Sequence, residues 1–418
     1  MPNLPSQLLE SLSHLDRFER DAFIEAHKKE KRITSIRLNP FKSVDLDFTF
    51  ADTVAWCDGA FYLADRPSFT YDPLFHAGCY YVQEAGSMFI EHLLKNSLDL
   101  SKPVNVLDLC AAPGGKSTLI NSLISPESLL VSNEIIKSRA GILAENLGKW
   151  GTNNTIVTNN EPRNFGELPD FFDAIVVDAP CSGSGLFRKQ PEAIEEWSPE
   201  AVVSCSIRQK DILTDVLPAL KPSGILVYST CSYSEEENEA IVRWLVEVKD
   251  MEIVRIPADK NWNIVSGDLG YRFYPHLTKS EGFFCSVLRK KDDPDIAHYK
   301  MSKKNEVSET SKNERQAIID FTGISEGLFI KNGNNFHLVN PAVKEFMNQT
   351  KKKFYLKKAG VCLGEIKGKD FVPNHELAWF PAIRTHVKKL DISLENAVKF
   401  LKKENFSATE NDQGLVLC

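Results

Sequence analysis

Two cysteines fifty residues apart are the residues of this chain best suited to chemistry. Cys181 ends Asp178-Ala-Pro-Cys181, and Cys231 lies in Ser229-Thr-Cys-Ser232. Each peptide follows an apolar run rich in β-branched residues, Asp173-Ala-Ile-Val-Val177 in one case and Gly224-Ile-Leu-Val-Tyr228 in the other. Such runs read as strands, and in an open α/β sheet ligands bind beyond the carboxyl ends of the strands. Both thiols and the Asp178 carboxylate are therefore expected in one crevice. A thiolate is a strong nucleophile, and few reactions need a second cysteine beside the first without a metal. The pattern favours covalent catalysis.

A glycine-rich turn, Leu107-Asp-Leu-Cys-Ala-Ala-Pro-Gly-Gly-Lys-Ser117, joins an earlier strand to a helix. A phosphate loop would need Gly where Cys110 stands, and the GxGxxG dinucleotide pattern is absent. Glycines at a helix start still let a ligand approach the backbone closely. Acids follow the next three strands: Glu134, Glu161 and Asp178. A carboxylate after the second strand suits ribose hydroxyls, because it accepts both of their hydrogen bonds. One such acid alone is more often a solvated strand end; three beside a glycine turn favour a nucleoside-containing cofactor.

The elements that must position these groups alternate over 104–290. Val104–Leu109, Leu129–Asn133, Thr155–Thr158, Ala174–Val177, Ile225–Tyr228 and Gly282–Arg289 read as strands, with helices from Lys116, over 137–149 and after Ser198. Ser234…Glu237 reads as a capping box for the following helix. The alternation predicts an α/β fold with a mostly parallel, doubly wound sheet. Before it, residues 1–99 form an α+β module with an amphipathic start (Leu8, Leu9, Leu12, Leu15). The organisation expected is 1–99, 100–291, a polar linker over 292–312, and a small, separate β-rich domain over 313–418 with short strands such as Phe336–Val339 and Lys353–Leu356.

Composition bounds the function. The 418 residues carry a net charge of −7, which argues against nucleic acid, yet residues from 300 on hold 20 Lys/Arg against 14 Asp/Glu. Phosphate contact depends on local basic surface. The nine cysteines lack CxxC or short Cys/His spacing, which disfavours a metal and a disulfide framework and fits a reducing cytoplasm. Neither a membrane span nor a signal peptide is expected.

Several stretches are familiar together. Cys110-Ala-Ala-Pro-Gly-Gly-Lys116, Asp178-Ala-Pro-Cys-Ser-Gly183 and Tyr228-Ser-Thr-Cys-Ser232 resemble the RNA 5-methylcytosine methyltransferases of the NOL1/NOP2/Sun family. Gln83-Glu-Ala85, Arg188-Lys-Gln-Pro191 and Glu281-Gly-Phe-Phe284 resemble its text as well. The tail is similar to the PUA-like domain of a bacterial branch acting on small-subunit ribosomal RNA. The resemblance implies a Rossmann-like methyltransferase sheet with RNA-binding domains on both sides. It implies S-adenosylmethionine held by Cys110, Ala111, Ala112, Pro113, Gly114, Gly115 and Lys116, with Glu134 on the ribose, Glu161 near the adenine and Asp178 beside cofactor and base. The family usually has Asp where this chain has Glu161. Cys231 would attack carbon 6 of a cytosine, Cys181 would serve product release, Asp178 would activate the base, and Lys189 would support the anion. The implied partner is RNA, 16S rRNA in the small ribosomal subunit, with no metal, membrane or obligate protein partner.

Three other readings compete. Transfer RNA is an alternative substrate. DNA cytosine-5 methyltransferases use a Pro-Cys nucleophile at the equivalent of Cys181, which leaves Cys231 without a role. A silent ribosome-assembly factor would need no intact thiols, and here both are present.

Overall fold

The computed structural model describes residues 4–28, 33–292, 307–350, 353–383, 388–406 and 416–417. After the helices Ser6–Ser11 and Arg20–Lys28 come four short strands: β1 (Ser35–Leu38), β2 (Phe50–Thr53), β3 (Ala60–Leu63) and β4 (Tyr80–Val82). They form an antiparallel sheet in the order β2-β3-β1-β4. Leu8, Leu9 and Leu12 are buried, as their spacing predicts.

The central sheet follows: β5 (Asn105–Asp108), β6 (Leu129–Asn133), β7 (Thr155–Thr158), β8 (Phe172–Asp178), β9 (Leu220–Thr230), β10 (Met251–Ile253), β11 (Val265–Ser266), β12 (Tyr271–Phe273) and β13 (Phe283–Lys290). Its middle runs β7-β6-β5-β8-β9 in parallel. β13 lies antiparallel to β9, with β12 and β11 beyond and β10 on its end. Strands covered on both faces must be apolar on both, and every residue of β6 is buried. Alternate residues serve opposite faces. Leu107, Val131, Ile175 and Leu226 meet Leu213 and Val216 of helix Pro199–Val216 and Ile241 and Leu245 of helix Glu239–Glu247. Val106, Leu130, Val176 and Val227 meet Leu93 of helix Ile90–Ser97 and Leu119 and Ile120 of helix Gly115–Leu123.

The tail contributes β14 (Leu328–Asn332), β15 (Asn335–Val339), β16 (Leu356–Ala359), β17 (Val361–Lys367) and β18 (Asp370–Pro373). Four of these form a sheet of their own, β14-β15-β17-β18. β16 does not: it pairs antiparallel with β7 and extends the central sheet. Val343, Phe346 and Phe354 enter the same core as Phe165 and Phe171. The strand expected at Lys353–Leu356 therefore starts only at Leu356, because Phe354 turns inward against Phe165, ring centroids 5.0 Å apart. Asn340 fastens the seam by donating to the carbonyls of Ser128 (2.7 Å) and Pro126 (3.0 Å). The small β-rich domain expected over 313–418 shares a sheet and a core with the region before it. Most of the expected linker, 293–306, lies outside the described residues; Val307, just beyond, is buried.

The capping box expected at Ser234…Glu237 is absent. The helix begins at Glu239, Ser234 makes no side-chain cap bond, and Glu237 points elsewhere. A capping box does form at Ser311…Glu314, where each side chain receives the other's backbone N–H.

Candidate active site

The crevice opens at the carboxyl ends of β5, β6, β8 and β9. After β5 the chain passes through Cys110–Gly115 into the helix Gly115–Leu123, with Gly114 left-handed at φ 118°. Few residues other than glycine adopt that conformation. Arg139 donates to the Ala112 carbonyl (2.8 Å) and Asn146 to that of Pro113 (2.9 Å), fixing the turn from the helix Lys137–Trp150. From the N-terminal sheet, the buried Arg37 donates to Thr118 Oγ1 (2.7 Å) and the Gly115 carbonyl (3.4 Å), holding the first turn of the helix.

Three carboxylates line this end. Asp108 is fully buried; Ser117 donates to its Oδ2 (2.6 Å), and its Oδ1 has no partner among the described residues. Burial pushes its carboxyl up to about 7. Glu134, 3% exposed, accepts from the Ile136 N–H (2.8 Å) and pairs with Arg139 at 3.3 Å. Asp178 pairs with Lys116 (2.8 Å) and accepts from Ser229 (2.8 Å). Burial pulls the Lys116 ammonium down, but the charge and hydrogen bond of Asp178, together with the charges of Asp108 and Cys231, outweigh it and the group ends above the usual range.

Both thiols arrive together. Cys181 Sγ and Cys231 Sγ lie 3.1 Å apart, a contact distance between free thiols, because β8 and β9 are parallel neighbours in register at Asp178 and Ser229. The turn after Cys181 lies against the Cys231 loop: Gly185 N–H donates to the Cys231 carbonyl at 2.7 Å. A Cβ on Gly185 would come within 2.5 Å of that carbonyl oxygen. Beneath both loops lies the fully buried Glu237. Its Oε1 accepts from the Ser182 N–H (2.7 Å), and its Oε2 accepts from the hydroxyls of Ser182 (2.6 Å) and Ser232 (2.5 Å). Gln209 donates to the Pro180 carbonyl at 3.0 Å.

The structure thus brings Cys181, Cys231, Asp178, Lys116 and the glycine turn together, with Glu134 on the next strand end. Cys110 flanks the turn, its thiol pushed up by burial. Glu161 is half-exposed, caps the helix Pro162–Gly166 and pairs with Arg163 at 2.6 Å. Lys189 lies on the turn after Leu186 and, among the described residues, its side chain bonds to neither thiol nor Asp178. Sequence reasoning missed Glu237, Gln209 and Asp108. Asp108 could have been found, since it stands two residues before Cys110 among the apolar Val106, Leu107 and Leu109. The Glu281-Gly-Phe-Phe284 stretch touches the Gln83-Glu-Ala85 stretch through Glu84, which accepts from the Glu281 N–H at 2.9 Å.

A parallel sheet with one antiparallel strand beside β9, a glycine turn after β5 and acids on neighbouring strand ends define a Rossmann-like methyltransferase class. The chain belongs to the 16S rRNA methyltransferase RsmB/F family, whose profile matches residues 96–289, with the N-terminal domain of 16S rRNA methyltransferase RsmF matching 4–85. Ribosomal RNA small subunit methyltransferase F of Aliivibrio fischeri is 34% identical over 81% of this chain and 74% of its own. The Pectobacterium atrosepticum protein of that name is 34% identical over 69% of this chain, and the match spans only 63% of that relative's length. A crystal structure of a methyltransferase homologue from Pyrococcus horikoshii superposes with a TM-score of 0.55 at 28% identity, covering 69% of this chain and all of its own. NSun6 from the same organism, at 20% identity and a TM-score of 0.58, covers 70% of this chain and 99% of its own, and bears on the fold.

Proposed function

We propose that this chain transfers a methyl group from S-adenosylmethionine to carbon 5 of a cytosine in 16S ribosomal RNA, through a covalent adduct with Cys231. The observation that carries the reading is the pair of thiols 3.1 Å apart beside the Lys116–Asp178 ion pair. The acids fit the cofactor. The unpartnered Asp108 oxygen and the buried Glu134 carboxylate lie where a cationic, hydroxyl-bearing ligand finds acceptors. Cys110–Lys116 would hold its methionine side, Glu134 its ribose, and Glu161 its adenine. When bound, this cofactor supplies an electrophilic methyl group.

The residues of the chain do the rest. Carbon 5 of cytosine is a poor nucleophile. Bonding the Cys231 sulfur to carbon 6 moves the ring's double-bond electrons onto carbon 5. Asp178, ion-paired with Lys116, has lone pairs left to accept from the exocyclic amine and orient the base. Once carbon 5 has gained the methyl, its remaining proton passes to solvent water acting as base, the electron pair of that C–H bond re-forms the double bond, and the Cys231 sulfur departs as thiolate. Cys181, in contact with that sulfur, donates a hydrogen bond to it as it leaves. Lys189 adds positive charge at the rim. The base must leave its stack to reach both faces of this site. Residues 1–99 and the PUA-like tail, with its basic excess, grip the RNA around it.

Two variants test the reading. Cys181→Ala offered small-subunit RNA and methyl donor should accumulate an RNA–protein species that survives denaturing electrophoresis. Cys231→Ala, alone or combined with Cys181→Ala, should give none and should not methylate. Turnover by Cys231→Ala would make Cys181 the nucleophile and overturn the proposal. Offering labelled donor with small-subunit RNA and transfer RNA separates the substrates.

A further inference from the structure

Glu237 is a buried acid that the local pattern assigns to a helix cap and the structure uses otherwise. Three of its acceptor contacts are hydrogen bonds of 2.5 to 2.7 Å from Ser182 and Ser232, the residues immediately after the two cysteines. Gln209 Nε2 at 3.4 Å and the Cys205 thiol also bond to it. A carboxylate is acceptor-only, and all of these partners can donate, so the ionised form accepts from each of them. Two of the three short bonds come from Ser182, the residue after Cys181, and Gln209 ties the acid to the Pro180 carbonyl just before it, so the charge is held chiefly to the Cys181 loop, whereas the Lys116 ammonium is held at Asp178.

We propose that Glu237 is the positioning residue that assigns the two thiols their roles: clamped between both cysteine loops, its charge keeps the proton shared by the pair on Cys181, so that Cys231 is the sulfur that attacks. The inference rests on the proposed covalent mechanism for its meaning in catalysis. A like charge nearby disfavours a thiolate, and a thiol so held is the hydrogen-bond donor that a departing Cys231 sulfur needs. The thiol of Cys181 is pushed up first by its hydrogen bond to Cys231, then by burial, and then by the charges of Cys231 and Glu237. Burial pushes the Glu237 carboxyl up, and the serine hydrogen bonds push back. The other ionisable groups around the cluster are Tyr228, Cys205, Glu236 and Asp178, with Lys116 across from them; Tyr228 and Cys205 are both pushed up by burial and stay neutral.

The test uses the full chain without RNA or methyl donor. Limiting iodoacetamide is added, and the ratio of labelled Cys181 to labelled Cys231 is read by peptide mass spectrometry. The native chain should label mainly Cys231. Glu237→Gln, which keeps the size and removes the charge, should raise the Cys181 share about tenfold, the effect of one unit of acidity. A loop that merely loosens would expose both thiols together and leave the ratio alone. A Gln variant with the native ratio overturns the proposal. If Glu237→Gln does not fold, Glu237→Asp draws the carboxylate back by one methylene and must shift the ratio in the same direction; an unshifted ratio there overturns it equally. Methylation by Cys231→Ala would sink the mechanism without touching this ratio, so the two failures are distinct.

Discussion

The two halves of the crevice are held in place by different means. On the glycine-turn side, position comes from backbone: strand ends, a left-handed Gly114, and carbonyls tied to the helix that carries Arg139 and Asn146. On the cysteine side, position comes from side chains far apart in sequence. Ser182 and Ser232 are fifty residues from each other and meet on one carboxylate. The first half is a frame that accepts a ligand; the second is a network that fails as a unit when one member is lost.

This contrast can be broken at three places, beginning where the effect is largest. In the cysteine half, Gly185→Ala puts a Cβ within 2.5 Å of two carbonyl oxygens, those of Cys231 and Gly282. Displacing the Cys231 loop by about an ångström should lower the methylation rate about a hundredfold while cofactor affinity stays near native. Steady-state kinetics with calorimetry reads both, and equal losses would show that the halves are not independent. In the turn half, Glu134→Ala should weaken S-adenosylmethionine binding by about 1–3 kcal/mol, because hydroxyls lose their acceptor. It should leave the iodoacetamide labelling of the two thiols unchanged; an altered labelling pattern would join the halves. The third place is read in acidity. Burial holds the Asp108 carboxyl up to about 7, above its ordinary value of about 3.9. Its contribution to stability is therefore complete below about pH 4 and is lost as pH rises through about 7. Asp108→Asn should flatten the fall in Tm of the unliganded chain across that range, and parallel profiles would remove Asp108 from the titration.

What could be read in advance follows the same division. The strands Leu129–Asn133 and Thr155–Thr158 and the helix led by Ser198 and Pro199 were legible because their signals are local: apolar runs, a cap, a proline at the first turn. So were Cys181 and Cys231, whose polar turns interrupt apolar text. Glu237 was not, because Ser-x-x-Glu is a local pattern and a contact to Ser182 outweighs it here. β16 was misplaced for a related reason. Lys353–Leu356 has strand-like residues, but Phe354 is drawn into the core and pairing begins with Leu356.

The edge of β7 has a consequence for how the chain is made. Thr158 leaves the ribosome with one side of its strand unpaired, and its partner Leu356 follows about 200 residues later, roughly ten to forty seconds of synthesis. During that interval Thr155–Thr158 is a bare edge open to pairing with another nascent chain. A transcript cut short before residue 356 never closes it. The sheet that carries both halves of the crevice is complete only when most of the polypeptide exists.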